Sequence, residues 1–140
     1  MKLRKIESTE LSLFKDDPVR PHIDAHFRTS DNREVYVLDS GEKIDAVICV
    51  GYTRDVPTNE QDLKYTGDDV AVFYTVWSYS RGAGRDIVFK TAAHIKENKP
   101  NVKRYVTLSP LTDMARKFHL RNGAEFVARH LDCQNFEYTV

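Results

Sequence analysis

The chain has 140 residues, with 21 basic and 21 acidic side chains and a formal net charge of zero. A balanced chain has no overall field of one sign, which argues against nucleic acid or an anionic membrane as a partner. Hydrophobic residues make up 41% and charged residues 30%, a composition typical of globular proteins rather than disordered ones. At this length we expect a single domain over residues 1–140.

The N-terminal sequence and the cysteines narrow the class further. The start "MKLRKIESTE" lacks the apolar core of a signal peptide, and no apolar run approaches the ~20 residues of a membrane span. Cys49 and Cys133 are too few and too distant to predict a disulfide framework or a zinc motif. Cys49 stands in the apolar run "AVICVGY" and is expected in the core. We expect a soluble, cytoplasmic protein.

The first half of the chain predicts strands that form an antiparallel meander. Residues 10–32 contain Pro18 and Pro21, which interrupt any long helix and leave short helices or turns. The stretch "DSGEK" predicts a hairpin turn, and "NEQDL" fits at most one helical turn. The segment "DVAVFYTVWSY" is the strongest strand, because it is rich in β-branched and aromatic residues. Strands are predicted over residues 2–7, 34–39, 44–52 and 69–79.

The second half changes its hydrophobic period. Apolar residues recur at helical spacing over 84–98, which predicts an amphipathic helix. A strand over 104–109 follows, then a helix over 114–122 capped by Thr112 or Asp113, then the strands "AEFVAR" and "NFEYTV". This order predicts an α/β (α+β) fold, in which an antiparallel meander leads into a strand–helix–strand crossover.

The stretch "SRGAGR", residues 80–85, joins the strongest strand to the long helix. Gly82 and Gly84 permit backbone conformations and close approaches that a side chain would block. The free N–H groups of a first helical turn attract an anion such as a pyrophosphate, and Arg81 and Arg85 add positive charge. The alternative is an ordinary strand-to-helix turn, in which glycines are common. It has neither GxGxxG nor Walker spacing, so it does not predict a dinucleotide or ATP site.

Other side chains could take part in catalysis or binding, but their spacing alone does not establish a role. Ser109 ends a strand and His119 lies on the following helix, and such residues can form a nucleophile–base or donor–acid pair. From spacing alone, however, most Ser-Pro turns are structural, and a histidine on a short helix is usually a surface or core-edge group. His22 and His26 are four residues apart, but no third ligand follows from the sequence, so we expect no metal. The aromatic side chains of the strongest strand fit either a core or the wall of an apolar pocket: Phe73, Tyr74, Trp77 and Tyr79.

The element order, with "RGAG" between the central strand and a helix, resembles the GNAT acyltransferase fold. This resemblance implies a mixed, mostly antiparallel sheet flanked by helices, with the pyrophosphate of coenzyme A on the glycine-rich turn. The family motif is Arg/Gln-x-x-Gly-x-Gly/Ala. Arg81 and Gly84 match its first two fixed positions, and Asp86 stands at the third. The resemblance implies coenzyme A contacts at Val76, Trp77, Arg81, Gly82, Ala83, Gly84 and Arg85.

A narrower resemblance extends in order over most of the chain. The segments "DPVRPHI", "AVICVGYTRDVPT", "AVFYTVWSYS", "KPNVKRYVTLSP" and "ARKFHLRNGAEF" are similar to the catalytic domain of malonyl-CoA decarboxylases. In that family the catalytic domain has a GNAT fold and a Ser/His pair carries the reaction. Ser109, in "TLSP", and His119, in "FHLRNGA", match those positions and are the implied catalytic residues.

The resemblance implies conversion of malonyl-CoA to acetyl-CoA and carbon dioxide, with no metal. Backbone N–H groups near Val76 and Trp77 would hold the thioester oxygen and stabilise the enolate left by decarboxylation. His119 would protonate the carbon or organise the water that does so, since its ordinary pKa of about 6.5 suits proton transfer near neutrality. Ser109 would bind the carboxylate or fix the imidazole.

Two other functions stay open. One is amine acetylation from acetyl-CoA, in which loop carboxylates would face a cationic acceptor: Asp55, Glu60 and Asp62. The other is a non-catalytic acyl-CoA-binding module, favoured by Asp86 and by the short connection over residues 110–118. In every case the implied partner is a small-molecule acyl-CoA, and a homo-oligomer is compatible with it.

Overall fold

The computed structural model describes all 140 residues, which form eight strands and three α-helices. Two 3₁₀ segments cover Ser8–Asp16 and Glu60–Lys64. The helices are α1 (Ala25–Thr29), α2 (Ala83–Asn98) and α3 (Asp113–Arg121). The strands are β1 (Lys2–Lys5), β2 (Arg33–Asp39), β3 (Ile44–Thr53), β4 (Val70–Ser78), β5 (Arg104–Thr107), β6 (Ser109–Pro110), β7 (Glu125–Arg129) and β8 (Cys133–Tyr138).

All eight strands belong to one mixed sheet. β1 to β4 are antiparallel neighbours in chain order, and β4 pairs in parallel with β5 through the crossover helix α2. β8 lies antiparallel between β5 and β6 on one side and β7 on the other. The predicted α/β fold, with a meander followed by a strand–helix–strand crossover, is confirmed.

The strand predicted over 104–109 is divided at Leu108 into β5 and β6, although both pair with β8 in one continuous register. The Leu108 N–H donates to the Phe73 carbonyl of β4 at 3.2 Å. Beyond that bond β4 has no partner strand on this side, because it pairs with β5 only through its first four residues. The two parallel strands therefore diverge. This leaves an open edge along residues 74–78 of β4.

The sheet separates two apolar cores, and each helix is placed by the face that it buries. The predicted stripe of α2 is fully buried against the first core, and it consists of Ile87, Val88, Thr91, Ala92 and Ile95. The second core lies under the 3₁₀ segment at Ser8–Asp16 and under α1. It contains Cys49, as predicted, together with Cys133, and both thiols are free. No helix combines the length and the apolar character needed to cross a bilayer.

Candidate functional site

The N-terminus of α2 presents unpaired backbone donors. Gly82 is the N-cap residue in the left-handed region at φ 80°, and no side chain caps the helix. The Ala83 N–H donates back to Ser80, whereas those of Gly82, Gly84 and Arg85 donate to no group in the chain. Three N–H groups at a helix start, together with the helix dipole, favour an anion. The start of α2 therefore has the unpaired N–H groups that the sequence predicted for this turn.

The charged side chains around this turn differ in their availability. Arg81 is exposed and makes no hydrogen bond or ion pair within the chain. Arg85 is turned toward α3, where its guanidinium donates to Asn122 Oδ1 at 3.1 Å and lies 4.8 Å from the Phe89 ring centroid. Asp86 lies in the first turn of α2, where a carboxylate interacts favourably with the helix dipole. Arg81 is thus the cation best placed to meet an anion here.

Only one of the two predicted backbone positions on β4 faces the open edge. The Tyr79 N–H donates to the Asp45 carbonyl of β3 at 2.7 Å. From this pair, residues of β4 that bond β3 alternate with residues whose N–H and carbonyl point away from β3. This alternation directs the amide of Trp77 into the β3 ladder. It directs the N–H and carbonyl of Val76 toward the open edge. The expectation of a backbone donor therefore fits Val76 and does not fit Trp77.

His119 lies in the core rather than on the helix surface. Its ring stacks on Phe136 of β8, with centroids 5.4 Å apart, and Nδ1 bonds the Tyr138 hydroxyl at 2.7 Å. The imidazole Nε2 makes no hydrogen bond within the chain, and it is not among the fully buried unpaired atoms. Tyr138 has no other partner and a phenol is the stronger donor, so we assign the ring proton to Nε2. Nε2–H is therefore the group available to a ligand.

Burial changes the protonation state expected for this histidine. Desolvation lowers the pKa of His119 to about 4, while burial raises the pKa of Tyr138. Both side chains are therefore neutral at pH 7. The expected pKa of about 6.5 is corrected, because the sequence did not reveal that His119 is only 8% exposed. This imidazole can donate a hydrogen bond or organise water, but it does not carry a ready proton as imidazolium.

Ser109 is buried on the same face of the sheet as His119. On the sheet, Ser109 is paired with Gln134 of β8. Phe136, on which the His119 ring stacks, lies two residues farther along β8. Side chains two residues apart on a strand share a face, about 6–7 Å apart. The Ser109 hydroxyl bonds Thr107 Oγ1 at 2.7 Å, and no direct hydrogen bond joins it to His119. The two side chains share a face of the sheet but do not form a bonded dyad.

The remaining sequence candidates are occupied by structural contacts. His22 Nε2 contacts Glu60 at 2.8 Å, and no three His, Cys, Asp or Glu side chains are arranged to hold a metal ion. Glu60 also pairs with Arg20, and Asp62 accepts from the backbone and hydroxyl of Thr58. Of the loop carboxylates proposed for an amine, only Asp55 stays exposed without such a partner. Phe73, Tyr74 and Trp77 are core residues, and Tyr79 is partly exposed.

Sequence reasoning missed the residues that complete the site. Tyr138 was assigned only to a final strand, although its alternation with Phe136 places both side chains on one face. Phe118 packs against the first core and would contact a Cβ added at Gly84 at 3.4 Å. These contacts bring α3 against the start of α2. Two surface cavities lie away from this site, one beside β2 and one beside Gly67.

No protein-family model matches the sequence, and no curated protein matches it. Among solved structures, malonyl-CoA decarboxylase from Agrobacterium vitis superposes with a TM-score of 0.67 at 22% identity. That match covers 84% of this chain and 35% of the decarboxylase. The chain thus spans about a third of the length of that enzyme.

Other solved structures match over nearly their whole length. A putative GNAT-family acetyltransferase from Desulfovibrio desulfuricans has a TM-score of 0.69 at 11% identity and covers 98% of this chain and 97% of its own. A Bacillus subtilis acetyltransferase solved in complex with CoA has a TM-score of 0.63 at 13% identity, with 97% and 93% coverage. Together with the sheet and crossover helix of this chain, these likenesses establish that it has the GNAT fold.

Proposed function

We propose that this protein is an acyl-CoA-handling enzyme that decarboxylates malonyl-CoA to acetyl-CoA. The observation that carries the proposal is the buried, neutral His119–Tyr138 pair, with Nε2 unpaired and Ser109 on the same face of the sheet. This pair faces the side of the sheet that also carries α2, whose first turn offers three unpaired N–H groups. The likeness to malonyl-CoA decarboxylase structures supports the same reading at the level of the fold.

Binding would use the first turn of α2 and the open edge of β4. The pyrophosphate of coenzyme A would accept from the N–H groups of Gly82, Gly84 and Arg85, with Arg81 adding charge. The thioester oxygen would accept from the Val76 N–H at the open edge of β4. A preformed donor of this kind stabilises developing negative charge, and its loss typically costs about 10²–10³ in rate.

The reaction then requires little from the side chains. The bond between the α-carbon and the carboxylate breaks, its electron pair moves into the thioester enolate, and carbon dioxide leaves. Water protonates the α-carbon, and the remaining hydroxide combines with carbon dioxide as bicarbonate. His119 Nε2–H would hold the enolate oxygen or that water, so the imidazole itself need not ionise. Ser109 would orient the departing carboxylate.

The direct test is incubation with malonyl-CoA while acetyl-CoA is followed by mass spectrometry. We expect turnover, and a loss of about 10²-fold or more in His119→Gln and in Ser109→Ala. His94→Gln and Ser40→Ala are the matched controls, since both change exposed or peripheral residues of the same types. Absence of acetyl-CoA with wild-type protein would contradict the proposal. Unchanged rates in His119→Gln would remove the histidine from the mechanism.

A second candidate is acetyl transfer from acetyl-CoA to an amine. It is favoured by the acetyltransferase structures that match almost the whole chain in both directions. It is opposed by Glu60 and Asp62, whose carboxylates already have partners. Consumption of acetyl-CoA on addition of polyamines or peptides, with malonyl-CoA left intact, would establish this activity. Calorimetric binding of either thioester without turnover would instead identify a non-catalytic acyl-CoA-binding module.

A further inference from the structure

A buried arginine lies in the gap where β4 and β5 diverge. The Arg20 guanidinium donates through Nη1 to the carbonyl of Tyr74, the extra residue at the bulge of β4. Its charge also reaches Cys133 on β8, where burial raises the pKa of the thiol and Arg20 opposes that rise. Cys133 pairs with Pro110, the neighbour of Ser109. Arg20 therefore lies at the open edge of β4 on the second-core side of the sheet, whereas the Ser109 side chain lies on the first-core side, so a ligand that meets both must pass between β4 and β5.

Arg20 is held rigidly by a second buried charge pair. The Asp17 carboxylate accepts the Arg20 N–H at 2.8 Å, and Arg28 donates to the Arg20 carbonyl at 2.7 Å. Arg28 and Asp17 bond each other at 2.8 Å with side chains 0% exposed. Pro18 and Pro21 further restrict this backbone. Buried ion pairs contribute little net stability. The Asp17–Arg28 pair is therefore better explained by its contacts with the Arg20 backbone, which position the Arg20 side chain.

The guanidinium itself is incompletely used. Its Nε lies 3.2 Å from Glu60 and Nη1 is bonded to Tyr74, while Nη2 makes no hydrogen bond within the chain. The Arg20 side chain is only 6% exposed, and Nη2 is not among the fully buried unpaired atoms. Three N–H groups, one on Nη1 and two on Nη2, thus remain at the edge of a nearly buried cation. A guanidinium of this kind matches the geometry of a carboxylate.

The spacing suits a short acyl chain. Tyr74 lies two residues before Val76 on β4, about 6–7 Å along the strand. The free carboxylate of a malonyl thioester is two carbon–carbon bonds from the thioester carbonyl, roughly 2.5 Å between the carbons, and its oxygens reach farther. We propose that Arg20, fixed by Asp17 and Arg28, binds the free carboxylate of the acyl group and selects carboxylated acyl-CoA over acetyl-CoA. This inference rests on the proposed function and names the substrate feature that the site recognises.

Glu60 has a definite place in this scheme. Its carboxylate pairs with Arg20 and is one-third exposed, so it neutralises the guanidinium and would compete with a substrate carboxylate for it. Removing its charge leaves Arg20 unneutralised. Glu60→Gln should therefore strengthen malonyl-CoA binding, whereas loss of the guanidinium should weaken it.

The test is calorimetric binding of malonyl-CoA and acetyl-CoA, with turnover measured in parallel, on wild type, Arg20→Met, Arg20→Lys and Glu60→Gln. The malonyl-to-acetyl affinity ratio should fall at least tenfold in Arg20→Met. In Arg20→Lys, which keeps the charge without the fork, it should fall less, and in Glu60→Gln it should rise severalfold. Circular dichroism checks the folding of each variant. If Arg20→Met does not fold, Arg20→Lys and Glu60→Gln decide through their opposite shifts.

The outcomes separate the two proposals. Wild-type protein that decarboxylates malonyl-CoA, with a ratio unchanged in the folded Arg20 variants and in Glu60→Gln, would overturn the role of Arg20 alone. Wild-type protein that binds acetyl-CoA but neither binds nor converts malonyl-CoA would overturn the proposed function and this inference with it.

Discussion

The burial of His119 as a neutral imidazole makes stability depend on pH. The folded state holds its pKa at about 4, against 6.5 in the unfolded chain. Between these values the unfolded chain binds more protons, so stability rises with pH. The contribution of His119 is complete above pH 6.5 and is lost as the pH falls to about 4. At pH 5 the loss is about 2 kcal/mol relative to pH 8, since each pKa unit corresponds to ~1.4 kcal/mol.

The comparison of wild type with His119→Gln isolates this effect from the other titrating groups. The glutamine side chain can still accept a hydrogen bond from the Tyr138 hydroxyl, but it has no group that titrates in this range. Urea unfolding, followed by the fluorescence of the single buried tryptophan, Trp77, gives the free energy of unfolding at pH 8 and pH 5. Wild type should lose about 2 kcal/mol more than His119→Gln. His94→Gln should keep the wild-type difference, because it leaves His119 in place.

An equal loss in wild type and His119→Gln would refute the reasoning. It would mean that the imidazole is hydrated or protonated in the folded protein. The neutral Nε2–H donor on which the proposed mechanism depends would then be absent.

Two further stability comparisons follow from the backbone and the buried charges. Gly82→Ala and Gly41→Ala should each cost about 1–2 kcal/mol in thermal unfolding, because both residues have φ between 80° and 94° and an added Cβ meets no atom within 4 Å. Only Gly82→Ala should also weaken coenzyme A binding in calorimetry, and equal binding losses would argue against the α2 phosphate site. Asp17→Asn should cost about 3–5 kcal/mol in urea unfolding, since it leaves the Arg28 charge buried and unpaired. Arg104→Gln, at a pair with a 44% exposed arginine, should cost less than about 1 kcal/mol, and similar losses in both would contradict the buried-pair argument.

The sequence predicted the elements whose local signals were strong. The apolar period of α2, the cap at Thr112 and the β-branched residues of β4 each agree with the element that forms. The glycine-rich turn was likewise identified, because Gly82 must adopt a positive φ at the helix start. The motifs around Ser109 and His119 drew attention to the two residues, but their spacing carried no information about their separation.

Tertiary structure decided the chemistry of those residues. His119 is a neutral, core-facing donor because Phe136 and Tyr138, on a separate strand farther along the chain, pack against its ring. Burial and partner identity are non-local properties, so no reading of "FHLRNGA" alone could give a pKa of about 4.

The role of the irregular segment also depends on contacts that only the folded chain makes. Residues 10–32 lack a clear hydrophobic period, yet they place Arg20 at the open edge of β4 through Asp17 and Arg28. By itself the sequence determined the order of elements and the glycine-rich turn, because these depend on local period and backbone freedom. Only the folded chain decided which charges are buried and which donors stay unpaired, because both depend on strands that meet across the sheet.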